Sequence, residues 1–215
     1  IYPINPGRPE VQGLKSYKDL DALPEVPELA VCVVAGDQAV AAVKDAARRG
    51  VKGLICITSG FGETSDPAGA VKQAEMVAAA KAGGMRMVGP NTQGLANFSN
   101  GCVASFSTLF STLKCTDGPI AMVSQSGAMS AIPIGLLAEK GLGVRYSLAT
   151  GNDADVNVLE MAAATAADPD IRLLLLYLEG MPRPDLLASL AETAHRNGVM
   201  VVALKSGRTA AGARA

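Results

Sequence analysis

What most constrains the fold of this chain is a rhythm. Continuous apolar runs of strand length alternate with Ala-rich stretches of helical period from near the start to near the end. Residues 29–34 read as a strand, followed by a helix over 37–49 with Val40, Val43 and Ala47 on one face and Gly50 as its stop. Residues 54–58 form the next strand, and a helix follows with Asp66 as N-cap and Pro67 at its first position. A short strand at 85–88 ends at Gly89-Pro90-Asn91. The rhythm then breaks over 97–117, a stretch rich in Ser, Thr and Gly without helical period, which reads as a crossover holding at most a short strand near 102–106. It resumes with strands at 119–123, 144–149, 172–178 and 199–204, and helices at 127–140, 156–166 (capped by Asp155) and 184–197. Strands that are apolar along their whole length and separated by helices belong to parallel sheets covered on both faces. The expectation is an α/β chain of two consecutive parallel-sheet domains, residues 1–100 and 117–215, with no repeat of fixed period.

Composition removes several function classes. With 49% hydrophobic and 18% charged residues the chain buries a real core. The 19 Lys and Arg against 20 Asp and Glu do not form a stripe, so no nucleic-acid surface is expected. The most apolar run, 171–178, contains Arg172 and is too short to span a bilayer, so no membrane partner is expected. The four cysteines lack C-x-x-C spacing, and Cys32 and Cys56 fall in expected buried strands, which suits a reduced, cytoplasmic protein. With a single histidine, zinc is not expected. That histidine, His195, closes a helix and complements its dipole. The chain opens on Ile1 without a signal-peptide pattern, so a piece of something longer is expected.

In open parallel sheets ligands bind beyond the carboxyl ends of the strands, which selects a few loops. In Val123-Ser124-Gln125-Ser126-Gly127, Ser126 caps a helix whose first amides, at Gly127, Ala128 and Met129, point outward as an anion site; the plain alternative is a cap without a ligand. Glu179, after the most apolar strand, is either a low-dielectric carboxylate able to orient a histidine or an exposed loop acid. Thr150-Gly151-Asn152-Asp153-Ala154-Asp155 offers two acids for magnesium, but Asp155 reads better as a cap, and Asn152 stays open. Asn91 in Gly89-Pro90-Asn91-Thr92-Gln93-Gly94 either donates to a ligand or holds its turn. Gly60 in Ser59-Gly60-Phe61 permits a bulky ligand over a strand end, and Arg8 after Asn5-Pro6-Gly7 reaches a phosphate or is merely solvated.

Asn5-Pro6-Gly7, Ser59-Gly60-Phe61-Gly62-Glu63, Gly89-Pro90-Asn91, Ser124-Gln125-Ser126-Gly127, Thr150-Gly151-Asn152-Asp153, Tyr177-Leu178-Glu179-Gly180 and the closing Lys205-Ser206-Gly207-Arg208 follow one order. In that order and spacing the chain resembles the NDP-forming acyl-CoA synthetases, including the alpha subunit of succinyl-CoA synthetase. The resemblance implies a Rossmann-like CoA-binding domain, truncated at its start, and a flavodoxin-like ligase domain. It implies that coenzyme A meets Asn5, Pro6 and Arg8 at its adenine end and Val33, Val34, Ala35, Ser59, Gly60, Phe61, Asn91 and Thr92 along its path. Ser126 and Gly127 would hold a phosphoryl group in transit, and Glu179 would position a phosphorylatable histidine. That histidine, in a Ser-His-Thr-Gly type motif, is expected after Ala215, and the glycine-rich first loop before Ile1. Thr92 stands where many relatives have Cys, and Val34-Ala35-Gly36 lacks their usual Pro. The implied partners are a carboxylic acid or its acyl-CoA and an ATP-grasp domain or subunit carrying ATP/ADP with Mg, in an oligomer. The alternatives are a non-catalytic CoA-sensing module of a regulatory or acetyltransferase protein, or a related acyl or carbamoyl transferase. A dinucleotide dehydrogenase is disfavoured because no G-x-G-x-x-G follows a strand.

Overall fold

The computed structural model describes residues 1–207, so Arg208 of the closing motif lies outside the described residues. After the exposed turn at Asn5–Arg8, a small hairpin pairs β1 (Glu10–Val11) with β2 (Leu14–Lys15). The first α/β unit then runs β3 (Leu29–Cys32), α1 (Asp37–Arg49), β4 (Gly53–Cys56), α2 (Pro67–Ala82) and β5 (Arg86–Val88). Its three strands are parallel, in the order β3-β4-β5. The expected punctuation is present: Gly50 ends α1 in the left-handed conformation, and Asp66 caps α2 by accepting from Ala68 N. Val40, Val43 and Ala47 of α1 pack with Met76 and Ala80 of α2 onto Cys32, Leu54, Cys56 and Met87 of the sheet.

The second unit contains β6 (Gly94–Asn97), β7 (Cys102–Ser105), α3 (Leu109–Thr112), β8 (Ile120–Ser124), α4 (Gly127–Glu139), β9 (Val144–Ala149), α5 (Val158–Ala166), β10 (Leu173–Leu178), α6 (Leu186–Asn197) and β11 (Met200–Lys205). They form one six-stranded sheet, β11-β10-β8-β9-β6-β7. Side chains of β10 alternate between its faces. Leu174, Leu176 and Leu178 join α5 and α6, while Leu173, Leu175 and Tyr177 face Ile134 of α4.

Two expectations are corrected here. The short strand expected near 102–106 is present as β7, but it forms a hairpin with β6, a strand the sequence reading lacks, and β6 pairs antiparallel with β9, so the second sheet is mixed rather than wholly parallel. Gly94 makes the hairpin possible: at φ +100°, a Cβ there would sit 2.2 Å from Ala104 O. Asp155 does not cap α5. Asn157 does, accepting from Leu159 N (3.1 Å) and Glu160 N (3.0 Å). Asp155 instead reaches the first unit, where Oδ2 accepts from Met87 N (2.9 Å) and Arg86 Nε (3.1 Å), while Glu160 accepts from the same guanidinium at 2.9 Å.

The Asp155 carboxylate is only 6% exposed, whereas Arg86 is 54% exposed, so the two sides of this contact differ in weight. Replacing Asp155 with Ala leaves the Met87 N–H without its acceptor, at an expected cost of about 2 kcal/mol. Replacing Arg86 with Ala removes a solvated ion pair worth at most about 1 kcal/mol. Urea unfolding of the two variants checks the order; an R86A loss as large as that of D155A would overturn it.

Candidate functional site between the two units

The parallel part of the second sheet starts at β8, then adds β9 on one side and β10 on the other. The strand order therefore reverses at β8, which opens a crevice at its carboxyl end. The carboxyl ends of β3, β4 and β5 face the same crevice. The result is a cleft of about 690 Å³ lined from the first unit by Val33, Ala35, Ile57, Thr58, Ser59, Asn91 and Thr92. From the second unit come Gln93, Phe106, Gln125, Ser126, Gly127, Ala128 and Glu179.

Eight of the residues singled out in the sequence thus share one cleft: Val33, Ala35, Ser59, Asn91, Thr92, Ser126, Gly127 and Glu179. The others lie elsewhere. Asn5, Pro6 and Arg8 form a turn in which Asn5 Oδ1 accepts from Gly7 N at 3.0 Å, outside the cleft lining. Val34 follows the strand end without lining the cleft, and its carbonyl accepts from Thr58 Oγ1 at 2.6 Å. Phe61 is 1% exposed within the first core, and its N–H donates to Glu63, so its side chain is not available to a ligand. Gly60 N also donates to Glu63.

Local chemistry separates the residues that hold the cleft from those that face into it. Thr92 is buried, donating through Oγ1 to Ala149 O and accepting from Gly94 N at 3.0 Å, so its hydroxyl is spent on the turn. Ser126 caps α4 by a long bond, Oγ accepting from Met129 N at 3.4 Å. The N–H groups of Gly127 and Ala128 meet no protein acceptor among the described residues. They form the positive end of a thirteen-residue helix facing the cleft. Of the two settings open for Glu179, low-dielectric or exposed, the structure has it exposed at the cleft, because Leu178 is the last residue the core covers.

Gln125 and Asp153 are the residues whose roles the sequence left hidden. Gln125 Nε2 donates to Asp153 Oδ2 at 2.7 Å, and Gln125 Oε1 accepts from Glu179 N (2.6 Å) and Gly180 N (2.9 Å). A carboxylate only accepts, so Asp153 sets which end of the amide faces the Glu179 loop. Lys205 Nζ fixes the same loop from the other side by donating to Glu179 O at 2.7 Å. Burial pushes the Asp153 carboxyl above its ordinary range, against the bond from Gln125, and Oδ1 has no partner among the described residues. The signal in the sequence was a glutamine between two serines at a strand end. Magnesium between Asp153 and Asp155 is not supported: the two carboxylates go to separate partners, and no cluster of three metal-ligating side chains occurs among the described residues.

Asn152, left open by the sequence, links the units. Its Nδ2 donates to Glu63 Oε2 (2.5 Å) and Gln73 Oε1 (2.9 Å), and its Oδ1 accepts from Asn91 Nδ2 (3.2 Å). Burial works to raise the Glu63 carboxyl, but the Asn152 amide and the Gly60 and Phe61 N–H groups outweigh it and hold Glu63 below its ordinary 4.5.

Residues 1–97 match the family described as CoA binding domain, and residues 117–215 match the succinyl-CoA ligase like flavodoxin domain. The chain belongs to the NDP-forming acyl-CoA synthetase family. Within that family it is 32% identical over 215 residues to the acetate–CoA ligase [ADP-forming] II subunit alpha of Pyrococcus furiosus, covering 100% of this chain and 46% of that one. It is 31% identical over 216 residues to the 4-hydroxybutyrate–CoA ligase [ADP-forming] of Nitrosopumilus maritimus, covering 100% of this chain and 30% of that one. The apo structure of the Ca. Korarchaeum cryptofilum dinucleotide forming acetyl-coenzyme A synthetase 1 superposes with a TM-score of 0.86 at 30% identity, over 99% of this chain and 45% of that one. The chain therefore spans less than half the length of these acyl-CoA synthetases. No helix among the described residues is long and apolar enough to cross a membrane.

Because Glu63 is held below its ordinary value, its share of stability is present above about pH 4.5 and is lost as the pH falls through the lower folded value. The melting-temperature difference between the parent and E63Q is expected to be constant above about pH 5.5 and to shrink below about pH 4.5. A difference that widens in acid would overturn this reading of the Glu63 contacts.

Proposed function

We propose that this chain is the CoA-binding and phosphoryl-relay portion of an acyl-CoA synthetase, which joins a carboxylic acid to CoA with turnover of a nucleoside triphosphate. The observation that carries the reading is the convergence of strand-end loops from a CoA-binding unit and a ligase unit on one cleft, with unpaired helix amides at Gly127 and Ala128 and the Glu179 carboxylate both facing it. The cleft volume is within the range of small-molecule sites, about 300–1,000 Å³. Its lining suits the arm and thiol end of CoA: Val33, Ala35 and Ile57 offer apolar contact, while Ser59 and Asn91 offer polar atoms. CoA supplies the thiol that accepts the acyl group. The Asn5–Arg8 turn would meet its adenine end.

The relay rests on two features of the second unit. The amides of Gly127 and Ala128 stabilise a phosphoryl group by preorganised donors, without a side-chain cation. Glu179 accepts from, and so orients, a phosphorylatable histidine, and its backbone is held for that purpose by Gln125 and Lys205. ATP or ADP with Mg belongs to an ATP-grasp partner domain or subunit, and the complete enzyme is an oligomer in the cytoplasm. Relatives named for acetate and for 4-hydroxybutyrate leave the acid to be found by assay.

The full protein with its nucleotide-binding partner is expected to acquire label from γ-labelled ATP and to form acyl-CoA. E179Q is expected to slow labelling about 10- to 100-fold while leaving CoA affinity within about twofold, since one charge-assisted hydrogen bond is worth about 1.5–3 kcal/mol. Absence of label in the parent would sink the relay, and absence of calorimetric CoA binding would sink the CoA assignment.

A further inference from the structure

Cys32 and Cys56 were expected as ordinary buried strand residues, but the topology places them together. Each is the last residue of its strand, and they are direct register partners in the parallel β3–β4 pair. Both belong to the core cluster beneath α1 and α2, so their side chains leave the sheet on the same face. Adjacent strands lie about 4.8 Å apart, inside the Cα separation of about 4.4–6.8 Å that a disulfide spans. Both thiols are free. The remaining cysteines have no such partner: Cys102 is exposed on β7 and Cys115 lies in the second unit.

Two further observations separate this pair from cysteines that merely fill space. The neighbouring Cys56 thiol, against burial, holds Cys32 below the ordinary thiol range, while Cys56 is pushed up. The lower thiol is the nucleophile of such a pair. Both cysteines are buried, but the residues that follow them lead to open surface. Val33, next to Cys32, is 69% exposed and lines the cleft, as do Ile57, Thr58 and Ser59 just beyond Cys56.

We propose that Cys32 and Cys56 form an oxidisable dithiol, a modification site that hydroperoxides convert to a disulfide joining the ends of β3 and β4 beneath the cleft. The Cys32 thiolate attacks a peroxide oxygen, breaking the O–O bond; Cys32 becomes a sulfenic acid and the peroxide leaves as alcohol, or as water from hydrogen peroxide. The Cys56 sulfur then attacks the Cys32 sulfur, the S–S bond forms, the S–O bond breaks, and the hydroxyl leaves as water with the Cys56 proton. Two thiols lose two electrons in all, and one peroxide gains them. Because the joined strands run directly into residues 33–35 and 57–59, the bond re-aims the loops that line the cleft. This consequence for CoA rests on the functional reading above.

The test treats the full-length protein with hydrogen peroxide and maps non-reduced peptides by mass. A Cys32–Cys56 crosslink, two hydrogens lighter than the separate peptides and reversed by dithiothreitol, supports the proposal. Sulfinic acid at Cys32 without a crosslink, or a crosslink through Cys102 or Cys115, overturns it. C56S should trap the Cys32 sulfenic acid as a dimedone adduct, and C32S should give none at Cys56; the map on the parent protein stands even if either variant fails to fold. Oxidised protein is expected to bind CoA at least about threefold more weakly by calorimetry. Full crosslinking with unchanged affinity would overturn the link to the cleft. If the reduced protein binds no CoA, the functional reading fails while the peptide map still decides the dithiol.

Discussion

The arrangement of this molecule depends on one close approach between its two units. The turn after β9 lies against the Gly89-Pro90-Asn91 turn after β5, and Gly151 makes this possible. At φ +63°, a Cβ there would sit 2.4 Å from Pro90 O and 2.6 Å from Asn91 O. Asn152 N donates to Pro90 O at 3.0 Å, and the Asn152 side chain spends both donors and its acceptor on Glu63, Gln73 and Asn91. Such fully satisfied polar contacts define one orientation more sharply than apolar packing does. Because this contact is made at the carboxyl ends of both sheets, it brings two sets of loops around a shared cleft. Either set alone would be a shallow strand-end surface.

The Asp155 contact extends the same logic away from the cleft. Asn152 holds the near side of the seam, while Asp155 holds the far side through Met87 N and Arg86. A single loop between β9 and α5 thus serves both units with consecutive roles: Gly151 for approach, Asn152 for bridging, Asp153 for orienting Gln125, and Asp155 for the ion pair. A polar turn of this composition normally does no more than start a helix, and here Asn157 performs that task.

Much of this was legible in the residues. The apolar runs located the strands of both units, and Gly50, Asp66 and Ser126 located helix ends, because those signals are local. The strand-end rule then selected loops of which six residues meet in the cleft, and the resemblance added Val33 and Ala35. What failed was tertiary in origin. Asp155 is a good cap by residue type, yet a buried N–H on another strand outcompetes the cap. β6 escaped because an antiparallel strand needs only one apolar row, and its four residues include Gly and Asn. Of the two settings left open for Glu179, the exposed one is found, since a buried strand does not bury the residue that leaves it. The register of Cys32 against Cys56 depends on strand order, which no local pattern contains.

The electrostatics of the cleft bear on what it can hold. Lys205, in the Lys-Ser-Gly segment just beyond the Glu179 loop, has its ammonium on backbone carbonyls rather than on the cleft. An anion at α4 is therefore met by backbone dipoles, which attract it without supplying a full positive charge. Glu179 faces the same cleft with a full negative charge. A carboxylate and a bound phosphoryl group repel if they share a site directly, and they cooperate only when a donor between them serves both. An imidazole fits that position, donating through one nitrogen to the carboxylate while the other nitrogen faces the helix end. On the proposed function, the helix end and an acid unpaired among the described residues would together serve the histidine carrier that the resemblance implies, and the Asp153–Gln125 contact keeps the acid's backbone in register with that helix.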